Sequence, residues 1–303
     1  MKKYELTNES KIVEGITLYR IKALKEFNNV KTGDLGGFIG SESNLSHEGN
    51  CWVYNNACVC GNAQVTGNAC IYEYANISED ACVFGDAKVF CDAKVYGDAK
   101  VYEYAQVSGN AQVSRYARVF GDAKVYGNAR LYEYAQVFGN ARVFGNTKVL
   151  GNCYIFEDAQ VYGNAKVYGY ARLYDNAQVF DNACVFGDAQ VYNNAQVFAN
   201  AKVFGNSYVY GSAKVYGSAK VNRRAFINSN DDIFWISNIG SEFGTLTAFK
   251  TDSGDIYCTR GCFCGTLDEF IKAVNKKSYS DKSKLFYLNH AIPMIKYQFD
   301  VII

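Results

Sequence analysis

The side chains best suited to chemistry in this 303-residue chain are few. Two histidines occur, His47 within Ser46-His47-Glu48 and His290 near the C-terminal end. A general base has to reach a substrate hydroxyl inside a defined pocket, and neither histidine lies in the regular repeat described below, so His47 reads as a cap residue. Cys258, Cys262 and Cys264 form a C-x3-C-x-C cluster. Zinc sites want four ligands and usually C-x2-C spacing; no fourth ligand is near, and these thiols read as structural. No P-loop, dinucleotide fingerprint or nucleophile elbow is present. The expectation is a chain with no catalytic residue, no metal and no cofactor.

The stretch that must position everything else runs from Val53 to Ile227, with the unit V-[FY]-G-[ND]-A-[KQR]. Counting in sixes from Val53 gives thirty positions, every one Val, Ile or Leu. Two residues before each from Val59 on, from Ala57 to Ala225, lies Ala, replaced only at Thr147, Cys153 and Ser207. A fixed six-residue period over such a length is the signature of a β-solenoid. Strand alternation sends Ala and Val inward and Lys and Tyr outward. The Gly-Asn or Gly-Asp pair turns the corner, because these residues tolerate positive φ best. The expected fold is all-β: a left-handed parallel β-helix of hexapeptide repeats, about ten coils, with ends that need capping.

The flanks supply those caps. Residues 1–50 read as an N-terminal β cap, with strands at Tyr4–Thr7 and Ile16–Ile21 around a Glu14-Gly15 turn and a turn-rich stretch at Asp34–Ile39. Residues 51–228 are the helix of coils. Residues 229–303 read as a small α+β domain, with strands at Ile233–Ile239, Thr245–Lys250 and Asp255–Thr259. There Thr266-Leu267-Asp268-Glu269 is a capping box opening a helix to about Asn275, and Lys282–His290 is amphipathic ahead of Pro293.

A formal charge of +1 argues against general polyanion binding. No 18-residue apolar run or apolar leader region is present, so neither a membrane span nor secretion is expected. Eleven cysteines, with Cys58, Cys70, Cys82 and Cys184 at outward strand positions, fit reduced thiols in a cytoplasm.

The repeat resembles the hexapeptide repeat of left-handed β-helices. Thr17–Ile21, Gly33–Gly37 and Gly261–Phe270 are similar to hexapeptide-repeat proteins of phages and prophages, of the "polymer-forming" or transferase-like type. That resemblance implies a phage setting and no settled activity. The best-known left-handed β-helices are acyltransferases with a histidine base between subunits and an acyl-CoA donor. They usually build their sites from inserted loops, and none interrupts these hexads.

With 18 residues per coil, the outward aromatics are expected in three columns. One holds Tyr54, Tyr72, Tyr126 and Phe144, and another Phe84, Tyr102, Phe120 and Phe138. The most basic column stacks Tyr96, Tyr132, Tyr168, Phe186 and Phe204 beside Lys94, Arg130, Lys148, Lys166, Lys202 and Lys220, and is the candidate binding face. Aromatic ladders stabilise neighbouring strands by about 0.5–1 kcal/mol per pair. Three aromatic faces nevertheless exceed the usual exposed apolar patch, pointing to partners or homo-oligomers. Stacked rings leave little face for bases, so a host protein or nucleoprotein complex is the expected partner rather than nucleic acid directly. The reading is a non-catalytic interaction protein that sterically blocks a host complex, such as a CRISPR nuclease. A divergent acyltransferase and a self-assembling structural protein are the alternatives. Tyr-Glu-Tyr-Ala at 72–75, 102–105 and 132–135, with Tyr116 and Tyr170, reads as drift of the corner sequence.

Overall fold

The computed structural model describes residues 2–240, 242–276 and 281–301. They divide into two compact units, 1–163 and 164–303, and both are built on parallel β-solenoid coils.

In the first unit each rung pairs in parallel register with the rung 18 residues on, as in Lys88↔Gln106 and Lys94↔Gln112. Backbone bonds repeat with the same step: Lys88 N–H donates to the Ala105 carbonyl at 2.9 Å and Phe90 N–H to Val107 at 3.0 Å. The inward Ala and Val are fully buried throughout, each Val worth about 1.5–3 kcal/mol of transfer free energy. Each corner opens with a left-handed residue. Gly121 has φ 69°, but Glu103 (59°), Arg115 (57°) and Glu133 (62°) occupy the same conformation, at about 1–2 kcal/mol each for a non-glycine. Amide ladders help offset this: Asn50 donates to Asn68 at 3.2 Å and Asn68 to Asp86 at 3.1 Å.

The N-terminal end is closed by a hairpin of β1 (Tyr4–Val13) and β2 (Ile16–Ala23), longer than the sequence suggests. The stretch at Asp34–Ile39, expected as turns, is instead a strand, β3 (Leu35–Ile39). It pairs antiparallel with β2 and parallel with the rung at Cys58–Val59. Its glycines serve close approach: a Cβ on Gly36 would lie 2.5 Å from Ile21 Cγ1, and one on Gly37 2.6 Å from the Ala57 carbonyl. Cys58 is outward but lies beneath this cap, buried with Leu18 and Phe38. Lys3 is also fully buried, its ammonium donating to the Cys51 carbonyl at 2.9 Å.

In the second unit the rungs run on to Phe226–Ile227, followed by four antiparallel strands: Ile233–Ile239, Gly244–Lys250, Ile256–Arg260 and Phe263–Thr266. Helix α1 (Leu267–Lys276) opens with the expected capping box, Glu269 accepting from Thr266 N–H at 2.8 Å and Thr266 from Glu269 N–H at 3.3 Å. Then come α2 (Asp281–Phe286), a π-turn at Tyr287–Ala291 and α3 (Ile292–Gln298). Pro293 therefore does not end the helical stretch. The preceding π-turn, with Ile292 N–H bonded to the Tyr287 carbonyl, changes the hydrogen-bond step just where proline has no donor.

Candidate functional site

The basic column lies where the 18-residue period places it. In the first unit its outward positions run Asn76, Lys94, Gln112, Arg130 and Lys148, with Arg130 and Lys148 in direct register. In the second they run Lys166, Cys184, Lys202 and Lys220, with Lys202 and Lys220 in register. All six cations are exposed. None takes part in an ion pair among the described residues, where the pairs lie in the two end caps and at Arg224. Like charges directly opposite on neighbouring strands repel, so this column carries an unfavourable charge arrangement that an acidic partner would relieve.

Its aromatic half differs from expectation. Tyr168, Phe186 and Phe204 do stack, with centroids 4.7 and 4.8 Å apart. Tyr96 and Tyr132 do not, because Ser114 occupies the rung between them and Leu150 the rung after Tyr132. Lys94 and Tyr96 instead line a cleft of about 280 Å³ beneath the Glu14 turn of the N-terminal hairpin. Another column is more regular: Phe84, Tyr102, Phe120, Phe138 and Phe156 stack at 4.8–5.0 Å with rings within 3° of parallel.

This stacking also changes where apolar surface is offered. Rings about 4.8 Å apart cover one another, and of the column aromatics only Tyr216 is markedly exposed, at 39%. Burial accordingly pushes the hydroxyl pKa values of Tyr54 and Tyr192 up to about 12. The corner tyrosines are the open ones, Tyr74 at 65%, Tyr104 at 61% and Tyr170 at 61%. Tyr116 and Tyr134 form an exposed stacked pair 4.9 Å apart. The sequence singles these residues out but reads them as drift of the corner rather than as exposed surface. The available signal was that the second corner position, on the outermost bend, cannot be shielded by its own sheet.

The histidines are placed in ways that matter for catalysis. His47 stacks on Tyr4 at 4.4 Å, and its Nδ1 accepts the Lys3 N–H at 3.2 Å. That bond leaves the proton of a neutral ring on Nε2, 3.7 Å from Glu42. Nδ1 is thereby committed, and Nε2 carries the proton without a hydrogen-bond partner, so the neutral ring in this tautomer has no lone pair free to take a substrate proton. His290 sits on the π-turn and lines a cleft of about 600 Å³ with Phe243, Leu285 and Phe286. The thiols diverge. Cys258 lies in the core beneath α1, where burial pushes it up to about 12. Cys264 faces the last coil and accepts from Arg223 Nε at 3.2 Å, and Cys262 is exposed.

Residues 135–151, 159–175 and 177–193 match the family model of the YdcK β-solenoid repeat. The chain is a β-solenoid repeat protein. It is also similar to the uncharacterized acetyltransferase YdcK of Escherichia coli (strain K12), 36% identical over 63 residues, or 18% of this chain and 19% of that protein. The chain thus matches about a fifth of the length of that curated relative. No helix among the described residues is long and apolar enough to cross a membrane.

Proposed function

We propose that this solenoid is a non-catalytic interaction protein that docks on an acidic surface of a host macromolecular complex and blocks it sterically. The observation that carries this reading is the exposed, unpaired cations on the rungs of each unit, Lys94, Arg130 and Lys148 in the first and Lys166, Lys202 and Lys220 in the second. Cations fixed on the rungs of a unit cost little ordering entropy on binding, and their charges steer encounter with an acidic partner. Protein is favoured over nucleic acid because the rings of the Tyr168–Phe186–Phe204 ladder cover one another. A phage-encoded blocker of a defence nuclease is one form of this function. The test is affinity capture from bacterial lysate with the native chain and with Lys166→Glu/Lys202→Glu. The expected result is one dominant complex, lost with the reversed charges and weakened by salt. Equal capture by both baits would sink the basic-column reading.

A second reading, acyl transfer, draws its support from the name of the E. coli relative. Binding of acetyl-CoA would raise the melting temperature by mass action, and in this reading His47→Ala would abolish acetyl transfer. The bond from Lys3 N–H to His47 Nδ1 and the stacking of the ring on Tyr4 argue instead that His47→Ala lowers the melting temperature by loosening the cap and leaves any acetyl-CoA response unchanged.

A further inference from the structure

We infer that a groove on the first unit, separate from the basic column, binds a neutral oligosaccharide. The groove holds about 620 Å³, within the range of small-ligand sites. Its floor is the outward row Cys70, Lys88 and Gln106 on adjacent rungs. One wall is the corner column that begins as the Asn50–Asn68–Asp86 amide ladder and continues to Tyr104 and Asp122.

The opposite wall is the Asn28-Asn29 turn. This turn is fixed: Phe27 and Val30 exchange backbone bonds of 3.1 and 2.9 Å, Val30 is buried, and the Phe27 ring packs edge-on against Trp52 at 5.3 Å. The wall therefore exists before any ligand arrives, and binding does not have to order it.

The lining chemistry selects the ligand. Carboxylates of Asp86 and Asp122 accept, the Lys88 ammonium donates, and the Asn28, Asn29 and Gln106 amides do both. This mixture suits hydroxyl groups, which need donors and acceptors in alternation. Two acids against one base disfavour polyanions, and the polar floor disfavours lipid. Tyr104 breaks the amide ladder at the position the repeat usually fills with Asn or Asp, and does so behind Glu103, a left-handed non-glycine. Departures from a local rule without local benefit concentrate at functional positions. An exposed aromatic face amid polar groups is the surface on which the C–H face of a pyranose packs. Because the wall residues recur once per rung, the ligand lies along the column as a short linear chain of sugars.

The test titrates the full chain with maltotriose, cellotriose and triacetylchitotriose, read by calorimetry and by fluorescence of the nearby Trp52. Tyr104→Asn is the decisive variant, because it installs a residue the repeat itself uses at that position and so leaves the fold intact. Saturable binding of at least one trisaccharide is expected, weakened about tenfold or more by Tyr104→Asn and unchanged by Lys166→Glu/Lys202→Glu. Binding of none of the three at millimolar concentration, or equal binding by Tyr104→Asn, overturns the proposal. Preference for a sulfated over a neutral sugar overturns it as well.

Discussion

Thr247 Oγ1 accepts a hydrogen bond from the backbone N–H of Lys220 at 3.0 Å, and Thr259 Oγ1 donates to the Lys220 carbonyl, also at 3.0 Å. Two hydroxyls on neighbouring strands thus complete both backbone groups of one residue on the last coil. Further groups of that coil are met nearby: the Lys214 N–H by Asn230 Oδ1 at 2.9 Å and the Arg224 carbonyl by Asp252 N–H at 3.1 Å. An open solenoid end is an unpaired strand edge and a template for aggregation. Within the second unit, that edge is closed by side-chain hydroxyls and amides together with one isolated antiparallel bridge, Ala225 to Thr251, rather than by a further rung of the sheet.

Thr247→Val and Thr259→Val test this. Each keeps the side-chain shape and removes the hydroxyl, leaving one buried backbone group of Lys220 without a partner. A loss of about 1–3 kcal/mol per substitution is expected, measured by urea unfolding. The double variant is expected to form larger assemblies in light scattering. A double variant with native stability and a native scattering profile would show that the hydroxyls do not close the edge.

The corners give a prediction of opposite signs. A Cβ on Gly121 (φ 69°) would lie 2.8 Å from the Gly139 amide nitrogen, and a β-branched residue is especially strained in that conformation. Gly121→Val is expected to cost about 2 kcal/mol or more. At Arg115, already left-handed at 57°, Arg115→Gly relieves the Cβ penalty while adding chain entropy to the unfolded state. The net expectation is a gain of up to about 1 kcal/mol. Matching losses at both positions would show that the corners are not strained by handedness.

Much of this architecture was legible because one period carries it. Val at every sixth position and a small residue two before it fix which side chains face inward, and burial follows that rule from Val53 to Ile227. The C-terminal elements were legible where local chemistry is self-contained, as in the Thr266–Glu269 capping box. Most misses share a cause, which is that their meaning depends on neighbours distant in sequence. Gly36 and Gly37 look like turn residues until Ile21 and Ala57 are seen pressed against them. Ser114 between Tyr96 and Tyr132 is a miss of another kind, since the 18-residue step already places it there in the sequence. The exposure of Tyr104 and Tyr170 needed the shape of the corner itself.

The ladders also predict how stability depends on pH. Burial, the largest cause in every case, raises the hydroxyl pKa of Tyr54 and Tyr192 to about 12 and shifts Tyr72, Tyr102, Tyr168 and Tyr210 the same way. The buried thiols of Cys51, Cys60 and Cys258 are raised too, Cys258 to about 12. Each such group binds its proton more tightly in the folded state. As pH climbs past the unfolded values, near 9 for thiols and 10 for tyrosines, the unfolded chain releases protons that the folded chain keeps. Stability then falls with rising pH across about 9 to 12. Lys3 acts in the opposite direction: burial lowers its pKa, so its contribution rises with pH over its own window, but it is one group against ten, buried Tyr4 being raised as well. The urea midpoint is therefore expected to hold steady from pH 7 to about 8.5 and then decline, with only part of the tyrosinate absorbance at 295 nm appearing in the folded protein and the shielded ladder tyrosines adding theirs on unfolding. A midpoint that stays level to pH 11, or full tyrosine ionisation in the folded protein near pH 10, would mean that the rings do not shield one another as the 4.8 Å stacking requires.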